Sequence, residues 1–338
     1  MRTACWWELL IALIVCSMQK RLKWIDAVKG IGIILVLIGH CQIKGVNEYL
    51  YFHMPLFYII SGYCWNEKKY SEIEFKPYFV MKFKSYIIPY LKISGWSFLF
   101  FGILFQLWDK GFTEEYLEQI LKYIFGILIY SRGDTEWLPK CSPLWFLTTL
   151  FFAEVFFYLL KKTKYCLLYV ILVGFIGYLC SLLGKYFPWN IDNACTAIPF
   201  LYIGFSLKKM DLCNRKKNLV FFPIIILLSF YALKCGNNGV DFDGNSFSNI
   251  LLTHCGSIVV VLTLMAICRI LQFYGMLVIL PWFGKYTLLL FGYNYAINFF
   301  VHGMGLYNSW AMAVMVIALG VVLIKFTNKY SNIKKIII

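Results

Sequence analysis

Read from its start, the chain alternates long apolar runs with short polar ones. Ten runs stand out: 25–43, 49–66, 85–108, 143–160, 165–184, 191–207, 218–234, 249–272, 283–301 and 309–326. Most reach the ~17–25 residues that a bilayer-crossing helix needs. A further run, 116–130, is short and carries Glu118 and Lys122. It reads as an eleventh span or as a helix lying at the interface. The pattern predicts an all-α, polytopic membrane helix bundle of about ten transmembrane helices.

Composition agrees. The 338 residues are 61% hydrophobic and only 14% charged, against about 25% charged in a soluble domain. Residues 18–330 read as a single ten-helix domain, with 331–338 as a cytoplasmic tail. No separate soluble domain and no internal repeat is visible. The stretch CGNNGVDFDGNS (235–246) reads as a loop.

The net charge of +15 fits lysine and arginine crowding the cytoplasmic loops. No module for nucleic acid is visible. With ten spans and a cytoplasmic start, 22 basic residues fall inside: three at 20–23, five at 68–84, three at 161–164, five at 208–217 and six from Arg269 to Lys335. Seven fall outside: Lys44, Lys110, Lys122, Arg132, Lys140, Lys185 and Lys234. Counting 116–130 as a span would put the KKTK loop outside and break this alternation. The expectation is a multi-pass cell-membrane protein with both ends of the core cytoplasmic.

Residues 1–17, MRTACWWELLIALIVCS, fit this scheme poorly. The apolar part has the length of a signal-peptide core, but its basic flank, KRLK, follows it instead of preceding it. They read as an extension along the membrane or a non-native one, with Met18 as a natural start; a real extra helix is the alternative. The twelve cysteines form no CxxC pair and no zinc pattern. They read as small apolar side chains.

Polar residues inside apolar runs are costly and mark function. The first run holds Asp26, Lys29 and His40. Asp26 and Lys29, three apart, share a helix face and can pair. His40 lies 14 residues on, about 21 Å along a helix. His53 opens the second run, followed by Ser61. The two histidines can face each other across a hairpin as base and orienter, or serve as structural hydrogen bonders. A metal needs further ligands, and no nearby set supplies them. Glu154 is an acid in mid-run, either a partner for another helix or the lining of a polar cavity. Asn294 and Asn298 read as interhelical hydrogen bonders, and His254 and His302 as structural. Trp24 and Trp145 sit where an aromatic belt would place them. The basic loops 67–84 and 208–217 read as topology signals or as contacts for an anionic ligand.

RLKWIDAVKGIGIILVLIGH (21–40) followed by FHMPLFYIISGY (52–63) closely resembles the N-terminal signature of membrane-bound acyltransferase family three, the polytopic sugar O-acetyltransferases that include fucose O-acetylase-like proteins. YIIPYL (86–91), SPLWFLTTLF (142–151), AIPFLYIGFSLKK (197–209) and PWFGKYTLLLFGYN (281–294) resemble later family segments in order. The resemblance covers about residues 18–326. It implies transfer of an acetyl group from acetyl-CoA, a co-substrate, to a hydroxyl of a cell-surface or lipid-linked carbohydrate, without a metal.

By that resemblance His40 is the catalytic histidine, as general base or as acyl carrier through an acyl-histidine. Asp26, Lys29, His53 and Ser61 belong to the same polar site, with Glu154 and Asn294 as further substrate-binding candidates. Asn294 stands where family members often carry histidine, and an amide cannot act as a base near neutral pH. A transporter or flippase for a lipid-linked sugar or small anion is the alternative. A sensory or scaffold protein that kept the fold is a third reading.

Overall fold

A computed structural model describes residues 22–133, 136–210, 222–235, 240–247 and 249–330. The expected extension 1–17, the start at Met18, the tail 331–338 and the 211–217 part of the second basic loop lie outside the described residues.

The described chain is helical. Apart from a short helix at Glu67–Glu72, in order the helices are α1 (Lys23–Gly39), α2 (His53–Cys64), α3 (Phe75–Asp109), α4 (Glu114–Phe125), α5 (Ser142–Lys161), α6 (Cys166–Leu182), α7 (Ile191–Lys209), α8 (Phe222–Cys235), α9 (Leu252–Phe273), α10 (Leu280–Lys285), α11 (Thr287–Gly303) and α12 (Trp310–Lys329). Among the described residues α3, α5, α9 and α12 are long and apolar enough to cross a membrane, and α6 and α8 are shorter apolar helices. Each of the ten expected runs overlaps one helix or more, which gives the polytopic bundle.

Helix ends follow their capping residues. The Thr113 hydroxyl accepts from the Tyr116 amide at 3.2 Å, and the Ser309 hydroxyl accepts from the Met312 amide at 3.2 Å. Both satisfy amides that a helix start otherwise leaves bare.

The third helix begins ten residues earlier than its apolar run. At 35 residues it rises about 52 Å, well beyond an apolar bilayer core of about 30 Å. Run 116–130 folds back along it. Tyr123 packs against Gly102, and the Tyr90 hydroxyl donates to the Ile127 carbonyl at 2.8 Å.

Two glycine pairs set the centre of the bundle. A Cβ on Gly30 of α1 would run into the Leu280 carbonyl of α10, and one on Gly284 into the Asp26 carbonyl. Between α2 and α7, Gly62 faces the Leu201 carbonyl and Gly204 the Ile59 carbonyl in the same way. In each pair the backbones touch from both sides, which only glycine permits. The hairpin of α1 and α2, which carries both histidines, is thereby held by contacts too close for any side chain.

Candidate functional site

Two cavities lie one above the other between α1, α2, α5 and α11. The upper, of about 360 Å³, is lined by His40, His53, Ser142, Trp145, Tyr295 and the loop residues Asp241 and Asp243, among others. The lower, of about 420 Å³, is lined by Lys29, Ser61, Lys82, Tyr86, Glu154 and Lys285, among others. His53 and Ser61 are eight residues apart on α2, about 12 Å. The cavities therefore sit at different depths of the bundle.

His40 follows the last residue of α1, and its ring meets Tyr295 edge-on at 5.0 Å. The Asn298 amide donates to the His40 carbonyl at 3.5 Å. His53 opens α2 with its Nδ1 against the Leu50 carbonyl. An N–H at Nδ1 donates there, which leaves Nε2 as the acceptor.

The loop 240–247 covers this end. Backbone bonds of 2.9 and 2.8 Å between Asp241 and Ser246 close it. Arg132 then anchors it. Its Nη1 donates to the Asp243 carbonyl at 2.7 Å, and its Nη2 to both oxygens of Asp192 at 2.5 and 2.6 Å. The Arg132 guanidinium also lies over Tyr186, 4.5 Å from the ring centre. Asn245 donates to the Gly177 carbonyl at 3.2 Å and accepts from Thr196 at 3.1 Å. Ser131, Trp189, Asn190 and Asn245 all take left-handed backbone conformations here. Such strain persists where surrounding contacts over-determine it; Asn190, for one, donates to the Ser131 carbonyl at 2.5 Å and to Thr148 at 3.1 Å.

In the lower cavity Glu154 gathers the polar groups. It accepts from Ser61 at 2.5 Å and from Tyr86 at 2.7 Å, and pairs with Lys82. The Glu154 side chain is 3% exposed and that of Lys82 10%. Each needs the other, because an uncompensated charge at this depth is costly. Lys29 and Lys285 bring two further cations to the lining.

Phe291 of α11 lines both cavities. Its ring stands 5.3 Å from Phe146 and 6.5 Å from Phe57, and those two are 5.7 Å apart. The three rings form an apolar partition.

The residues singled out from the sequence thus separate. His40 and His53 share the upper cavity, while Lys29, Ser61 and Glu154 share the lower. The single polar site that the resemblance implied is two. Asp26 is buried beside Gly284 and lines neither cavity. Asn294 is fully buried and lines neither, and its amide has no hydrogen-bond partner among the described residues. That corrects its reading as an interhelical hydrogen bonder; of the pair, Asn298 bonds His40, the residue that follows α1. Trp145 is 7% exposed and lines the upper cavity, instead of standing in an aromatic belt. His254 stacks on Phe200 at 4.7 Å.

Sequence reasoning missed Arg132, Asp192, Asp241, Asp243, Lys82 and Tyr86. Asp192 carried a signal of the same kind as Glu154, an acid within an apolar run. Tyr86 lay within the run 85–108 and opened the segment YIIPYL (86–91), where a tyrosine gave no signal of its own, and the rest sat in stretches read as loops or as topology signals.

A family model described as an acyltransferase domain matches residues 22–326. No curated protein and no solved structure matches the chain.

Proposed function

The chain belongs to acyltransferase family three, and from that premise we propose that it moves an acetyl group from acetyl-CoA to a hydroxyl of a cell-surface or lipid-linked carbohydrate. The observation that carries this reading is the stacking of the two cavities, histidines in one and lysines in the other, with Phe291 as their shared wall.

The donor enters at the lysine end, which the basic-loop count assigns to the cytoplasm. Lys29 and Lys285 suit an anionic ligand. A cavity of about 420 Å³ takes the acyl group and the thiol-bearing arm, and leaves the nucleotide outside. The thioester passes the phenylalanine partition toward the histidines. The acceptor occupies the upper cavity.

His40 takes the proton of the acceptor hydroxyl as its oxygen attacks the thioester carbonyl. The carbon–sulfur bond breaks, the departing thiolate takes a proton, and an acetyl ester and coenzyme A result. His53 presents Nε2 toward the same space and orients the hydroxyl or its own neighbour ring. General-base help of this kind contributes about 10²–10⁴-fold.

The test supplies labelled acetyl-CoA to membranes with and without the protein and follows label into glycan. Label that appears only with the protein supports the reading. Movement of a glycan across the membrane without donor, and without acylation, would replace it with transport.

A further inference from the structure

The lower cavity is graded along its depth, and three segments repeat the same order. On α5 its lining runs Phe146, Leu150, Glu154, each about one turn further from the upper cavity. On α2, Phe57 precedes Ser61 by about a turn, and from α11 back into α10 the order is Phe291, Leu288, Lys285. Charge therefore lies at the end away from the histidines, and phenylalanine at the end that borders them. A ligand that follows this grading carries its charge inward and leads with a small apolar group.

That leading group meets a tight layer. Phe57, Phe146 and Phe291 line the cavity yet are only 7%, 6% and 3% exposed. Phe146 is backed by the buried Tyr58, whose ring lies 5.2 Å away. Phe57 is backed by the backbone of α1: a Cβ on Gly32 would stand 2.8 Å from the tip of its ring. Neither ring has room to withdraw on its backed side. The widest of the three spacings is the 6.5 Å between Phe57 and Phe291, whose planes are 82° apart. Interiors are close-packed, so each carbon added to a group among these rings has to displace a neighbour.

We propose that Phe57, seated on Gly32 and facing Phe291, sets which acyl group is transferred: the layer passes acetyl and excludes branched and aromatic acyl groups. The inference rests on the acetyltransferase reading and adds to it the residue that chooses the donor. The acyl carbons stand among the rings while the thioester carbonyl meets the acceptor oxygen. Their width is therefore tested in the transition state. A wider donor keeps its hold on the lysine end and loses rate, because only the interaction at the reacting centre has changed.

The test uses the full-length protein in vesicles, with acetyl-CoA, isobutyryl-CoA and benzoyl-CoA as donors and the glycan of the parent membrane as acceptor. Equilibrium binding and single-turnover transfer are read for each donor. In the wild type the three should bind within ~3-fold of one another. Acetyl should be transferred at least ~10-fold faster than the other two, the discrimination that one carbon commands in a fitted apolar pocket. Phe57→Ala should bring isobutyryl to within ~3-fold of acetyl. Phe57→Leu leaves less of a hole and should move the ratio the same way by less. Unchanged binding of acetyl-CoA shows that each variant has kept its fold. A ratio that neither variant moves overturns the proposal. So does isobutyryl-CoA bound at least ~10-fold more weakly than acetyl-CoA by the wild type, which puts the selection in binding and not at the rings. Equal transfer of all three donors sinks the filter alone and keeps the acetyltransferase reading. Donor binding with no transfer of any acyl group sinks that reading, and the filter with it.

Discussion

Phe291 and Phe146 stand ring to ring at 5.3 Å between a cavity that holds two histidines and one lined by three lysines. On the proposed route Phe291 is the residue a thioester has to pass. Phe291→Trp adds bulk at that point and touches no charged group. Donor binding should stay within about twofold while the transfer rate falls at least ~10-fold, since small misplacements at a reacting centre cost about that or more. Equilibrium binding of labelled acetyl-CoA and single-turnover transfer separate the two. A loss of donor binding equal to the loss of rate would argue against a passage here.

Glu154 is the acceptor for Ser61, Tyr86 and Lys82 at once. Glu154→Leu leaves the Lys82 ammonium buried without its counter-charge. The expected cost is about 3–5 kcal/mol, seen as a lower unfolding midpoint in detergent. The double variant K82M/E154L removes both charges and should recover most of that loss. If the double variant is as unstable as Glu154→Leu alone, the buried pair is not what the single change breaks.

Arg132 connects Asp192 to the loop that carries Asp243. Arg132→Lys keeps the charge and loses the planar fork. The loop's hold on the upper cavity should weaken, so KM for the acceptor rises at least ~5-fold while KM for acetyl-CoA does not move. An equal rise for both substrates would mean that the change is felt throughout the bundle.

Gly204 and Gly62 press backbone to backbone between α2 and α7. Gly204→Ala puts a methyl group against the Ile59 carbonyl and forces the helices apart. Overpacking of this kind costs about 1–3 kcal/mol. The same change at Gly95, where a Cβ meets nothing, serves as the control. Equal midpoints for the two variants would contradict the account of the contact.

Much of the fold is written in local pattern. The runs that became α1, α2, α5 and α11 lie close to their helices, because apolar length is a property of the stretch itself. The early start of α3 was not legible. Residues 75–84 carry Lys76, Lys82 and Lys84 and read as a basic loop. Lys82 enters the bundle because Glu154, 72 positions away in sequence, meets it there. The site followed the same rule. Each histidine stood out as a polar residue at the edge of an apolar run. That Asp241 and Asp243 cover them depends on Arg132, Asp192 and Asn193, and contacts between distant segments leave no mark in a local pattern. The split into two cavities was hidden as well. It depends on how far along α2 the chain travels between His53 and Ser61, and on three aromatic rings supplied by three helices.

The account stands most directly on His40. Purified wild-type and His40→Ala protein, reconstituted in vesicles, would be given labelled acetyl-CoA and the glycan of the parent membrane. Ester-linked label would be counted. The account predicts a fall of about 10²–10⁴-fold with donor binding and membrane insertion unchanged. Transfer by His40→Ala at a rate near that of the wild type would contradict it.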